Sequence, residues 1–394
     1  MRALAKVVVV NLVLIALVFV AAELVARGLE QPAVSTVPAV GPDPELGWAP
    51  IPDVQGHARS SEFDHEYYTN KLGLFDDPID MAVDRTKPRI LALGDSHTMA
   101  TGVAPSETWA NQLERLLIRA GKPSSVYNAG VGGYSIDQYL TRFRKLRESL
   151  DPHVVVVAFS TATDFIDVGR LPGGGFVYGS DRGRIYFSLD ERGRLVEHRE
   201  LVGLTLDPGA AQWSLSTLIR NGLQRLALYR LLKRSQLAVW VAARWSPGGQ
   251  SLWPGLDTAR KVTPDPDDER RMRLAEAILA LLAQEVRAIG AIPVLLHIPY
   301  LAQVYDEVWN ASFGAFPDRY RRDLGSRRLA AIADRAGMVF VDAWPAMVEE
   351  VKRSGRWLHY RLDAHPTPEG HAVIARTLVP VIEPLLQKMS APRP

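Results

Sequence analysis

A chain of 394 residues, 47% apolar and 23% charged, has room for one large α/β domain with decoration or for two smaller domains. Its formal charge of +2 gives no electrostatic reason for nucleic-acid binding, and it carries no zinc-finger spacing or basic-aromatic ribonucleoprotein motif. It has no cysteine, which excludes thiol catalysis, cysteine zinc sites, disulfides and a lipidated N-terminal cysteine.

The first predicted element is an apolar helix within residues 1–30. Arg2 and Lys6 precede the run Val7 to Ala22, broken only by Asn11, and Leu24-Val25-Ala26 continues it between Glu23 and Arg27. About twenty such residues of helix cross a bilayer. Basic residues first predict a cytoplasmic N-terminus, a single pass and a body on the periplasmic or extracellular side. Val20-Ala21-Ala22 also suits a signal-peptide cleavage site, so a retained anchor and a removed signal both stand. Residues 31–54 hold Pro32, Pro38, Pro42, Pro44, Pro50 and Pro52 and read as an extended linker lifting the body off the membrane. The polar stretch from Gln55 to Asp84, with its Asn70-Lys71-Leu72-Gly73 turn, reads as an arm packed on the main domain, which runs over 55–394.

From Arg89 onward strands and helices alternate. Strands are expected at Arg89–Leu93, Ser125–Asn128, Val154–Phe159, Pro293–Ile298 and Met338–Asp342, and helices at 107–120, 136–150, 266–289, 318–336 and 368–388. Short, wholly apolar strands separated by helices indicate a parallel sheet covered on both faces. Five of them suit a flavodoxin-like three-layer α/β/α sandwich with strand order 2-1-3-4-5. The alternation breaks over 169–265, read as an insertion. It contains a hairpin within Phe176 to Glu200, turning at Glu191-Arg192-Gly193-Arg194, and a basic helical run from Trp213 to Trp245.

The chemistry gathers where strands end. Gly94-Asp95-Ser96 follows the first core strand, so Ser96 sits in the turn where open α/β sheets hold their ligands. A serine nucleophile needs a base and a group to fix that base's tautomer; among nine histidines His365 is the best base, with Asp363 two residues before it. His97, next to the nucleophile, reads as lining the pocket or packing at the helix start. The second strand ends in Asn128-Ala129-Gly130, where a glycine lets a backbone N–H approach a substrate oxygen. The third ends in Ser160-Thr161-Ala162-Thr163-Asp164, polar side chains facing the same crevice. Asp363, His365 and His371 have the wrong geometry for a metal, and Gly130-x-Gly132-x-x-Ser135 lacks the last glycine of a dinucleotide fingerprint, so no cofactor or metal is expected.

These residues together resemble the SGNH (GDSL-type) hydrolases, particularly bacterial members with an N-terminal membrane helix. The resemblance spans roughly 44–388 and rests on Glu45-Leu46-Gly47-Trp48, Asn70 to Gly73, Gly94-Asp95-Ser96-His97-Thr98, Gly130, His297-Ile298-Pro299 and Asp363-Ala364-His365-Pro366. It implies Ser96 as nucleophile, His365 as base, Asp363 as its orienter, and the Ser96 and Gly130 N–H groups as oxyanion donors. Two departures stand out. The third block of the family reads Gly-x-Asn-Asp, whereas Thr163 takes the asparagine position, leaving a hydroxyl as the third donor. The last block is commonly Asp-x-x-His, one residue longer than Asp363-Ala364-His365. The resemblance implies an exported, membrane-tethered esterase acting on acyl or acetyl esters of a carbohydrate or lipid, without nucleic acid as a partner. O-acyl transfer to a cell-surface or exported polysaccharide, and a catalytically weak carbohydrate-binding protein, are the alternatives.

Overall fold

Residue patterning builds the structure, a computed structural model, around apolar strands too short for anything else. It describes residues 2–29, 40–60, 62–76, 83–99, 101–168, 184–199, 226–227, 258–361 and 363–388. The N-terminal helix α1 covers Arg2–Leu29. Among the described residues no helix is long and apolar enough to cross a membrane. The side chains of Val7–Val9 and Leu12 lie outside that description, so the expected span falls partly beyond it.

Two antiparallel pairs follow: β1 (Val40–Asp43) with β2 (Gly47–Pro50), and β3 (Gln55–Arg59) with β4 (Asp64–Tyr68). This corrects the linker expected at 31–54. Its first residues lie outside the description, but from Val40 onward the chain is folded onto the domain. Leu46 and Trp48 are buried in the main core. The Trp48 indole donates to Gly132 O at 3.3 Å, and Gln138 Nε2 donates to Leu46 O at 2.8 Å. The prolines suggested stiffness, but two apolar side chains between them decide the outcome, because burying a large one is worth about 1.5–3 kcal/mol. The Asn70 turn closes the arm: Asn70 Oδ1 accepts from Leu72 and Leu74 N–H at 2.9 and 3.1 Å. Gly73 has φ +64°, and a Cβ there would lie 2.8 Å from Pro50 O, so only glycine fits.

The central sheet has five strands: β5 (Arg89–Leu93), β6 (Ser125–Asn128), β7 (Val154–Ser160), β10 (Ile292–Ile298) and β11 (Val339–Asp342). All pair in parallel, in the spatial order β11-β10-β7-β5-β6, which is the expected 2-1-3-4-5. The two-residue period sends Leu91, Leu93, Val155 and Val157 to one face and Ile90, Ala92, Val154 and Val156 to the other. The first face packs on α4 (Ile136–Leu150), α6 (Pro266–Ala288) and α9 (Leu324–Ala336). The second packs on α3 (Trp109–Arg119), α10 (Trp344–Ser354) and α11 (Pro368–Lys388).

Caps explain several helix boundaries. Thr108 accepts from Asn111 N–H to start α3, Asp265 from Asp268 N–H to start α6, and left-handed Gly337 and Gly355 end α9 and α10. Helix α9 begins at Leu324 rather than 318, because Tyr320 bridges to Lys261 instead. Helix α10 was not expected; Pro345 fits its first helical turn.

The hairpin in the insertion is present as β8 (Tyr186–Leu189) and β9 (Leu195–His198), its turn held by Asp190 accepting from Arg192 and Arg194 N–H. It is tied to the domain by a buried Arg184–Asp137 ion pair. The basic run expected at 213–245 lies outside the described residues, apart from residues 226–227.

Candidate active site

Strand β5 delivers Ser96 to the sheet's carboxyl edge. Asp95 ends the turn and caps the short helix α2 (Ser96–Met99): its Oδ1 accepts the His97 N–H at 2.8 Å and its carbonyl those of Thr98 and Met99. Ser96 is thereby held at the first helical position with its Oγ free to face outward.

The other half of the site arrives 269 residues later in sequence, yet His365 Nε2 lies 2.7 Å from Ser96 Oγ. The other ring nitrogen, Nδ1, contacts Asp363 Oδ1. The shortened Asp-x-His spacing works because Ala364 takes φ +71°, folding the chain so that the carboxylate of residue 363 meets the imidazole two residues on. A left-handed alanine costs on the order of 1 kcal/mol. Burial disfavours the His365 imidazolium, but the adjacent Asp363 carboxylate and that of Asp95 outweigh it, raising the histidine above its ordinary value. Asp363 shows the reverse balance: burial pushes up, and the His365 charge and hydrogen bond pull its carboxyl below the usual range. The ring is thus a stronger base than a free histidine.

A side chain absent from the sequence reading positions this loop. Glu62, between β3 and β4, accepts Arg361 N–H at 2.7 Å on one carboxylate oxygen and Asp363 N–H at 2.9 Å on the other. Next to it the Phe63 and Tyr360 rings lie 5.4 Å apart, and the Tyr360 hydroxyl donates to Gly102 O. No motif marks Glu62; an acidic residue in a hairpin tip is usually solvated, and only the fold brings it to the loop.

The oxyanion donors are arranged differently from expectation. Ser96 N–H donates to no described residue. Gly130 N–H donates to Asn128 Oδ1 at 3.1 Å, while Asn128 Nδ2 ties β6 to the Thr98 carbonyl at 2.8 Å. Gly130 packs so closely on α2 that a Cβ would lie 2.5 Å from Met99 N. The Thr163 hydroxyl donates its single proton to Asp95 Oδ2 at 2.7 Å, so that proton is not available to an oxyanion at the same time. The reason is the neighbouring carboxylate: burial raises Asp95, but His97 and Thr163 outweigh that and hold it ionised, with its pKa brought down to about 2. Asp164 is the opposite case. Burial and the Asp95 charge raise its pKa well above the ordinary value, while the Tyr139 hydroxyl donates to one of its oxygens at 2.8 Å and Ser160 N–H to the other at 2.7 Å.

His297 and His371 are engaged away from the nucleophile, whereas the His97 ring lies 4.9 Å from that of His365. His297 is fully buried, its Nδ1 2.7 Å from Asp342 and its Nε2 3.4 Å from Thr161 Oγ1. His371 accepts Trp109 N–H on Nδ1 inside α11. Among the described residues no group of three or more acidic or histidine side chains is placed to hold a metal ion.

No family model and no curated protein matches this chain. Solved structures do. One is TesA, at 17% identity and a TM-score of 0.37, covering 75% of this chain and 99% of that one. The psychrotrophic esterase EstA from Pseudoalteromonas sp. matches at 12% identity and 0.37, covering 76% and 100%. The acetylxylan esterase Axe2 from Geobacillus stearothermophilus matches at 14% and 0.38, covering 77% and 96%. At these identities and TM-scores the likeness carries no argument about activity.

Proposed function

We propose that this chain is an exported, membrane-tethered serine esterase of the SGNH type, hydrolysing acyl or acetyl esters of a carbohydrate or lipid. The observation that carries the reading is the 2.7 Å contact between Ser96 Oγ and His365 Nε2, with Asp363 on the opposite ring nitrogen. Ser96 Oγ attacks the ester carbonyl carbon as its proton passes to His365 Nε2, and the departing alcohol takes that proton, leaving an acyl-serine. Water then gives a proton to Nε2 while its oxygen attacks; the acid leaves and Ser96 recovers the proton. Asp363 holds Nδ1–H and stabilises the imidazolium in both halves. The Ser96 N–H is the oxyanion donor at hand, and Gly130 N–H joins it by exchanging Asn128 Oδ1 for the developing charge.

Fluorophosphonate labelling of the full chain is the first test: Ser96 takes the label, and Ser96→Ala and His365→Ala each abolish hydrolysis of 4-nitrophenyl acetate. Full activity in Ser96→Ala sinks the reading. Adding a sugar acceptor and analysing products separates hydrolysis from acyl transfer by the same residues.

The tether is supported by the basic-first apolar sequence of residues 1–30 and by the exposure of Val13, Leu14, Ile15, Leu17, Val18 and Phe19 on α1. Reporter fusions beyond residue 40 are expected to work only outside the cytoplasm; activity solely inside removes the export reading. A catalytically weak carbohydrate-binding protein is the second reading, favoured by one observation: the Gly130 amide and Thr163 hydroxyl are already engaged. Absence of labelling and of turnover with all esters would select it.

A further inference from the structure

The Ser96 crevice holds a second carboxylate–imidazole pair that the reaction above leaves unused. Asp95, 2% exposed, places its two carboxylate oxygens 3.1 and 3.3 Å from His97 Nδ1. The same carboxylate accepts the His97 amide and the Thr163 hydroxyl, so β5, α2 and the loop after β7 together fix its position. The centre of the His97 ring lies 4.9 Å from that of His365, the ring that meets Ser96.

A carboxylate facing Nδ1 keeps a proton on that nitrogen. Nε2 is left to meet a hydrogen-bonding group from elsewhere. It makes no hydrogen bond among the described residues, and it is not among the sealed, unpartnered ring nitrogens, as Nε2 of His359 and His371 are. A bulk-exposed histidine presents either nitrogen to a ligand; Asp95 removes that choice. A fixed, open ring nitrogen beside the catalytic imidazole is completed by a hydrogen-bonding group that arrives with the substrate.

Resting on the esterase reading above, we propose that His97 Nε2 hydrogen-bonds a hydroxyl neighbouring the scissile ester, so that the site selects partly acylated polyols such as carbohydrates over simple alkyl esters. His97 is then a specificity-determining residue, in contact with the substrate alcohol but taking no proton from it. The proton transfers remain with His365, and the atoms of the reaction balance as before.

The test compares kcat/KM of the full chain in detergent for two substrates. One is a methyl xyloside monoacetate with its neighbouring hydroxyls free; the other is the same monoacetate with those hydroxyls replaced by hydrogen. Wild type is expected to favour the first by about tenfold, the worth of one good hydrogen bond. His97→Phe is expected to bring the ratio close to one, whatever happens to the absolute rates. His97→Gln, whose side-chain amide still hydrogen-bonds a hydroxyl, is expected to keep part of the preference. A ratio near one in wild type, or one unchanged in His97→Phe, overturns the proposal, and continued turnover of 4-nitrophenyl acetate then leaves the esterase standing. No turnover of any of the three esters, with no fluorophosphonate on Ser96, overturns both.

Discussion

The nucleophile turn at 94–99 and the acid–base loop at 358–367 meet across 2.7 Å but are held by different means. In the turn, Asp95, His97, Thr98 and Met99 are all buried, and β5, β6 and β7 surround them with backbone and packing contacts. In the loop, the side chains of Asp363 and His365 remain 31% and 19% exposed, and Glu62 from the arm clamps the backbone beside them. The turn is part of the core. The loop is an attachment whose geometry rests on a few polar contacts and one left-handed alanine. Ser96 itself aside, damage to the packing of the first is therefore expected to appear as lost stability, and damage to the second as lost activity in an intact fold.

Asp363→Asn is the strongest challenge to that division. It is expected to lower kcat by about 10³–10⁴ while thermal unfolding stays within a few degrees of wild type. The pH profile adds a sign. His365 must be neutral to act, and the Asp363 carboxylate helps raise its pKa, so kcat/KM of wild type falls as pH drops through a pKa raised above the ordinary histidine value. Without the Asp363 charge that limb moves to lower pH; an unmoved limb would show that Asp363 does not face the charged ring in solution.

Gly130→Ala tests the other side. Its Cβ meets backbone rather than a flexible side chain, so a loss of about 1–3 kcal/mol is expected in denaturant unfolding. A variant as stable as wild type would mean that the turn is not core-like. Glu62→Gln returns to the loop: the charge on the Arg361 and Asp363 amides is lost but the shape is kept. About a tenfold drop in kcat, with KM and melting temperature nearly unchanged, is the expected result. A drop in melting temperature alone would make Glu62 a structural residue only. Smallest is Ala364→Gly, which relieves a left-handed residue and is expected to change stability by no more than about 1 kcal/mol, in the stabilising direction. Destabilisation would place that strain elsewhere.

The same division governs what could be read in advance. Strand β5 appears in the sequence with its observed bounds, and β6 likewise, because a run such as Arg-Ile-Leu-Ala-Leu followed by Gly-Asp-Ser has only one good place in a parallel sheet. The strand order followed from five short apolar runs separated by helices. The folding of residues 40–50 onto the domain did not follow. Proline density over 31–54 obscured Leu46 and Trp48, whose burial depends on surface supplied by α4 and the turn after β6. Thr163 was legible as a polar residue at the end of the third core strand, yet its hydrogen bond to Asp95 was not, since that partner lies 68 residues away.

Local pattern by itself determined the layer architecture, the serine at the sheet edge and the pairing of Asp363 with His365 in one short segment. Those features depend on periodicity and on neighbours two or three residues apart, which a linear chain displays. Tertiary structure alone decided which donors are engaged, that Ala364 must turn left-handed, that Glu62 steadies the loop, and that His97 keeps one nitrogen on Asp95 and the other open. Each of these depends on a group from a distant segment arriving at hydrogen-bond range, and no spacing along the chain encodes that arrival.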